Sequence, residues 1–227
     1  MPLLEVTDLK KTFVGPDGQR SAVLDVPRFE LASGSQVGLA GPSGTGKTTL
    51  LHCLAGILAP DSGIIRLDGR EMTGISEARR DRLRAVSLGY IFQTFNLLQG
   101  FTCLENVLLG MSFGPGPNRG RAEELLGRVG LADRLHHRPR QLSTGQQQRV
   151  AVARALANQP KLVLADEPTG NLDAESATDA LCLIREVCRE FGAALLCVSH
   201  DPAVLAVFPE RLSLAELNRA ARKPRQQ

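Results

Sequence analysis

The 227-residue sequence has no tryptophan and a single tyrosine, Tyr90, and aromatic residues make up only 4% of it. That is too few π faces for a base-stacking platform of the kind single-stranded nucleic acids require. Neither sign of charge is in excess. The 27 basic and 24 acidic residues leave a net +3, too mild to argue for a polyanionic partner, and no nucleic acid is expected. No stretch approaches the ~18 consecutive apolar residues that cross a bilayer. If the protein serves a membrane, another chain must supply the spans. Met1-Pro2-Leu3-Leu4 is followed by Glu5 and Asp8, so no apolar leader builds up. Cysteine is sparse and unpatterned. Cys53, Cys103, Cys182, Cys188 and Cys197 are odd in number and show no CxxC or Cys/His spacing. They are expected to be reduced thiols in a cytosolic protein, each buried and inert.

What is present suffices for one large or two small folding units with a proper core. Residues 3–6 are expected as a short strand. The turn cluster Gly15-Pro16-Asp17-Gly18 lets 22–26 return as the second strand of a hairpin. Residues 36–40 make a short apolar strand feeding a Gly-rich loop. Residues 47–57 follow as a helix, with Gly56 near its end and Pro60 beyond. A strand at 63–67 closes on Asp68-Gly69, a hairpin signal. Residues 77–84 read as a polar helix and 86–92 as an apolar strand. From 95 to 142 the apolar residues recur at helical spacing, interrupted by Gly114-Pro115-Gly116-Pro117. This stretch is read as a helical subdomain inserted into an α/β core. Residues 162–165 and 193–198 are buried-strand runs with a helix at 174–191 between them, a β-α-β crossover that implies parallel strands. The end after Asn218, with Arg219, Arg222, Lys223 and Arg225, is read as a basic, fraying tail.

Two strings carry chemistry on their own residues. Gly41-x4-Gly46-Lys47-Thr48 fits a phosphate loop, with a strand before it and a helix after it. Its glycines let backbone N–H groups turn in around a phosphate, and the helix points its positive end at the anion. Lys47 adds a point charge, and the Thr48 hydroxyl can ligate Mg²⁺. Downstream, the apolar run 162–165 delivers Asp166 and Glu167 to the carboxyl edge of the sheet, where ligands bind in open α/β folds. There Asp166 would hold Mg²⁺ and Glu167 would orient a water or accept its proton. A third string, Leu142-Ser143-Thr144-Gly145-Gln146, opens a helical run at 147–157. Ser143 reads as a plain N-cap, and a capped helix N-terminus is also an anion site.

With Asp166-Glu167-Pro168-Thr169-Gly170-Asn171-Leu172-Asp173, these strings resemble ATP-binding cassette (ABC) ATPase subunits, in wording most similar to the lipoprotein-release and macrolide-efflux branch. The resemblance spans about residues 3–208. It implies a P-loop NTPase fold: a RecA-like core with a mostly parallel sheet, an N-terminal antiparallel β part and an inserted α-helical subdomain. All of this would be one domain over 1–227. The core and β part would fall at about 1–93 and 143–215, the helical subdomain at about 94–142 and the basic tail at 216–227.

It implies the cofactors ATP and Mg²⁺ and the following roles. Gly41, Pro42, Ser43, Gly44, Thr45, Gly46, Lys47, Thr48 and Thr49 would hold the phosphates. Phe13 would stack on adenine. Thr48, Gln93 and Asp166 would attend the metal. Glu167, His200 and Gln93 would serve hydrolysis, His200 as the histidine that contacts the γ-phosphate. Ser143, Gly145 and Gln146 would face ATP bound to a second copy of the chain, and Asp173 would cross the interface between copies.

Three departures stand out. Thr144 occupies a position where the family usually has Gly, so its backbone must have ordinary dihedrals, the expectation here, or the loop is shifted. Phe13 stands where relatives often have Tyr, keeping the π face. The chain end lacks the usual Asp-Gly hairpin, and 210–214 run into a helical 215–222.

The implied function is an ATPase that couples its own dimerisation to integral membrane permease subunits, for export, extraction or force transmission. It would sit in the cytoplasm on the inner face of the membrane. Residues 94–105 would receive the permease. A regulatory ATPase controlling a cell-envelope enzyme stays open as an alternative, and a soluble cassette acting on nucleic acid or ribosomes is a more distant one.

Overall fold

The computed structural model describes residues 2–16 and 18–222. Three of its strands are buried along their whole length or nearly so: β3 (Gln36–Ala40), β7 (Leu162–Asp166) and β8 (Ala194–Ser199). Strands covered on both faces read as near-continuous apolar runs and belong in parallel sheets. With β6 (Leu88–Ile91) and β9 (Glu210–Ser213) they form a five-stranded sheet in the order β6-β7-β8-β3-β9, parallel throughout. In this register Ala40 lies beside Ser199 and Asp166 beside Val198. The carboxyl ends of β3, β7 and β8 therefore form one edge, and the loops leaving it begin with Gly41, Glu167 and His200.

The second sheet is antiparallel, in the order β2-β1-β4-β5. Its strands are β1 (Leu4–Val14), β2 (Arg20–Leu31), β4 (Ser62–Leu67) and the two-residue β5 (Arg70–Glu71). β1 is far longer than the expected 3–6. It continues through a break in alternation at Asp8 (φ 50°), with its pairing to β2 shifted between Lys11 and Thr12. Polar residues around that irregularity conceal the strand in the sequence.

Helix α1 (Lys47–Leu54) stops three residues before the expected end. Gly56 turns left-handed at φ 66°, and the N–H groups of Ile57 and Leu58 both return to the His52 carbonyl, closing the helix. α2 (Glu77–Ser87) runs further than expected, so β6 begins at Leu88 rather than at residue 86. Val86 is an exposed helical residue and not the start of an apolar strand.

The insert contains α3 (Cys103–Ser112) and α4 (Arg119–Arg128), with the expected Gly-Pro break between them. α3 is opened by a Thr102/Glu105 capping box. Both helices pack on α5 (Thr144–Ala155), whose Val150, Val152 and Ala153 are fully buried. α6 (Ala174–Glu190) makes the crossover from β7 to β8.

Apolar side chains gather in two clusters on opposite faces of the parallel sheet. Val163, Ala165, Leu195 and Cys197 point to the side of the helical insert. Leu162, Leu164, Leu196 and Val198 point to α1 and the antiparallel sheet. At roughly 1.5–3 kcal/mol for each fully buried aliphatic side chain, these alternating residues fix the register of the sheet firmly.

β9 lies parallel to β3 and forms no closing hairpin among the described residues, in line with the expected run of 210–214 into a helical stretch; the departures lie further on. α7 (Pro202–Ala206) lies between β8 and β9. The helical stretch after β9 is split into α8 (Leu214–Leu217) and a 3-10 turn (Arg219–Arg222), with the fully buried Asn218 between them. Residues 219–222 pack against β2 instead of fraying. Residues 223–227, with Lys223 and Arg225, lie outside the described residues. All five cysteines are free. Four are buried as expected, but Cys182 is exposed. Burial pushes the Cys53 thiol up to about 11 and the Cys188 thiol to about 12, leaving them protonated and unreactive at neutral pH. Among the described residues no helix is long and apolar enough to cross a membrane.

Candidate functional site

An open cleft of about 310 Å³ lies at the carboxyl edge of the parallel sheet. It is lined by Ser43, Gly44, Gly46, Lys47, Thr48 and Thr49 of the phosphate loop, by Gln93, Glu167 and His200, and by Val23 from β2. The loop folds on itself through the Thr45 hydroxyl, which donates to the Pro42 carbonyl at 2.7 Å. Gly46 caps α1 at φ 97°, and a Cβ there would sit 3.0 Å from the Val23 side chain and 3.1 Å from its carbonyl oxygen. No other residue can pass that close to β2 in that conformation.

Lys47 is 7% exposed. Its ammonium donates to the carbonyls of Gly41 at 2.8 Å and Pro42 at 3.1 Å and lies 3.2 Å from Glu167 Oε1. Glu167 follows the end of β7 with φ 47°, a left-handed conformation that a non-glycine residue adopts only when its surroundings hold it there. Both of its oxygens meet His200 Nδ1, at 2.8 and 2.9 Å. A proton on Nδ1 makes this contact a hydrogen bond and leaves Nε2 without a partner among the described residues. A cation, a carboxylate and an imidazole thus converge on one glycine-rich loop at a helix N-terminus. The arrangement can bind an anion and hold a water against it.

Asp166 sits behind this group, 7% exposed, and its Oδ1 is buried without a hydrogen-bond partner. Burial pushes its carboxyl above the ordinary range, opposed in part by the nearby Thr48 hydroxyl. An orphaned carboxylate oxygen beside a threonine hydroxyl is a set of hard oxygen donors, which suits Mg²⁺. No group of three or more histidine, cysteine or acidic side chains that could cage a metal by itself exists among the described residues. A metal here would complete its shell with ligand oxygens.

Other expected residues lie elsewhere. Ser143 caps α5 in a full capping box, accepting from the Gln146 N–H at 3.3 Å while Gln146 Oε1 accepts from the Ser143 N–H at 3.0 Å. Ser143, Gly145 and Gln146 line a second cleft of about 290 Å³, together with Ser176 and Asp179, and it shares no residue with the first. Thr144 is the first helical residue of α5, with ordinary dihedrals, so the unusual residue leaves the loop in place. Asp173 is exposed and caps α6. The Ser176 N–H, 2.9 Å away, holds its carboxyl below the ordinary range. Phe13 does not line the cleft. It is 42% exposed near the turn of the β1–β2 hairpin, with the Lys11 ammonium 5.7 Å from its ring.

The profile of the ABC transporter family matches residues 24–170, well over half of the chain. The chain belongs to the ABC transporter family. It is accordingly an ATP-binding, ATP-hydrolysing subunit. It is 46% identical over 220 residues to the "Lipoprotein-releasing system ATP-binding protein LolD 2" of Rhodospirillum rubrum, covering 95% of each chain. It is 45% identical over 202 residues to an "Uncharacterized ABC transporter ATP-binding protein" of Thermotoga maritima, covering 88% of this chain and 86% of the relative. Among solved structures it matches the ATP-binding cassette MJ0796, in a dimeric post-hydrolysis state bound to ADP and Pi. That match has a TM-score of 0.84 and 32% identity, and covers 93% of this chain and 94% of that one.

Three residues of this cassette's site were not legible in the sequence. Val23 is an unremarkable strand residue until the fold brings it against Gly46. Asn218, in what reads as a basic tail, is fully buried. Its side chain accepts from the Asp25 N–H at 2.8 Å and donates to the Val23 carbonyl at 2.8 Å and to the Thr45 carbonyl at 3.5 Å. Arg154, near the carboxyl end of α5, reaches the loop after Gln93. No local pattern marks any of the three, because each contact spans a long stretch of chain.

Proposed function

We propose that two copies of this cassette close head to tail on two Mg-ATP and drive an integral membrane permease from the cytoplasmic face. The observation that carries the reading is the separation of the two clefts. Lys47, Glu167 and His200 meet in one, while Ser143 and Gly145 open on another within the same chain. A site that needs both must draw the second from another copy. The dimeric MJ0796 cassette with ADP and Pi supports this.

In this reading the loop at residues 41–49, through those of its backbone N–H groups not bonded to carbonyls, and Lys47 hold the phosphates. Glu167 positions the attacking water and takes its proton. His200 carries its free Nε2 toward the γ-phosphate, and Gln93 completes the site at its rim. Thr48, Asp166 and Gln93 would hold Mg²⁺, which when bound neutralises charge on the phosphate oxygens. Phe13, on the β1–β2 hairpin, would stack on adenine. Asp173 would meet the partner copy. Since the chain itself does chemistry only on ATP, specificity for cargo rests with the permease. The name of the Rhodospirillum rubrum relative favours lipoprotein release as the task.

The test is Glu167→Gln with Mg-ATP. This variant should bind ATP, lose turnover by about 100-fold or more and elute as a dimer, while Lys47→Ala stays monomeric under the same conditions. Hydrolysis at the wild-type rate by Glu167→Gln would remove Glu167 as the base. A monomer at saturating Mg-ATP would remove the sandwich.

A further inference from the structure

The segment that leaves the cleft after Gln93 is strained. Phe95 and Asn96 are consecutive non-glycine residues with φ of 60° and 51°. Each is in a conformation that needs support from its surroundings. The support is Arg154. Its two terminal nitrogens donate to the Phe95 and Asn96 carbonyls, each at 2.6 Å. A planar guanidinium fork matches two successive carbonyls turned the same way, which a lysine ammonium cannot do. Arg154 forms no ion pair among the described residues, and its guanidinium is solvated in part by these two carbonyls. α3 passes directly over its stem, where a Cβ at Gly110 would lie 3.0 Å from Arg154 Cγ. Further along, Asn106 of α3, fully buried, holds Leu98, Phe101 and Thr102 through their backbones.

Arg154 lies near the carboxyl end of α5, and Ser143 caps its amino end, about 16 Å away along a rigid helix. The two ends thus touch different clefts, Ser143 the second and Arg154 the strand-to-insert loop that carries Gln93 into the first. We propose that Arg154 is a positioning residue that fastens the Gln93 loop to α5, so that the seating of Ser143 on a partner's nucleotide sets the position of Gln93 in the chain's own site. This rests on the composite-site reading above.

The experiment compares Arg154→Lys, Asn96→Gly, their combination and Gln93→Ala in steady-state ATP hydrolysis, with thermal melts of each. Arg154→Lys keeps charge and length but loses the fork. Its kcat should fall by about 10- to 100-fold, the effect of misplacing a site group by an ångström, with KM for ATP unchanged. Asn96→Gly makes the left-handed turn free of strain. It should restore much of the lost kcat in the Arg154→Lys background while doing little alone. A merely structural role in α5 predicts instead no split between kcat and KM and no rescue by glycine, whatever the melting temperature. Either of these overturns the proposal, as does a wild-type kcat in Arg154→Lys while Gln93→Ala is slow. If Gln93→Ala itself turns over normally, the role given to Gln93 fails first, and the reason for positioning it fails with it.

Discussion

Asp166 shows how a single residue can be placed against its own solvation. Its carboxyl is buried, has one oxygen without a partner and has its pKa raised chiefly by desolvation. A carboxyl whose pKa is higher folded than unfolded weakens the fold at every pH above its unfolded value, and the penalty vanishes below that value, where both states are protonated. Asp166→Asn should therefore raise the melting temperature of the magnesium- and nucleotide-free protein at pH 7, by about 2–4 °C if the penalty is on the order of 1 kcal/mol. The gain should shrink as the pH falls into the ordinary carboxylate range. Scanning calorimetry at pH 7 and pH 4 measures it, and an Asp166→Asn protein that melts lower than wild type at pH 7 contradicts it. The pair Asp166-Glu167 was legible as chemistry because an apolar run ending in two acids behind a phosphate loop has few other meanings. The φ of Glu167 was not legible, since a left-handed glutamate is held by Lys47 from one distant segment and by Ser199 and His200 from another.

At the scale of the element, α5 separates two readings of Ser143. As a cap, its loss to alanine costs about 1 kcal/mol. Aspartate caps as well as serine does, so Ser143→Asp should leave the urea midpoint close to wild type. It also places a negative charge where the proposed partner γ-phosphate lands, so ATP hydrolysis and dimer formation should both fall by about 100-fold or more. Normal hydrolysis by a well-folded Ser143→Asp would reduce Ser143 to a cap. Most elements were legible from period and punctuation: β3, β7 and β8 from unbroken apolar runs, and α3 and α4 from helical spacing on either side of Gly114–Pro117. The misplaced boundaries have physical causes. The polar residues around the irregularity at Asp8 hid more than half of β1, and Val86 read as strand because β-branched residues favour strands wherever they are not overruled.

For the whole molecule, the least legible feature was the return of the chain end to the wall of the phosphate-loop cleft. Asn218 ties Val23, Asp25 and Thr45 together across more than 170 residues of sequence. Asn218→Ala strands the Asp25 N–H and the Val23 carbonyl inside the protein, at about 1–3 kcal/mol for each unmet group. We expect a clear drop in urea midpoint together with weaker ATP binding, because Val23 walls the cleft and buttresses Gly46. A destabilised variant that binds ATP with unchanged affinity would show that the tie serves stability alone.

The alternation along the parallel strands has a different consequence, for how such a protein can change over generations. Each inward residue of β7 and β8 answers to one side only: Val163 and Cys197 to the helical insert, Leu164 and Leu196 to the antiparallel sheet. Drift in the packing on one side can proceed without notice on the other. The backbone is shared, however, so neither side can discard the wall. The insert side is thus free to be repacked while the side facing α1 and the antiparallel sheet stays as it was.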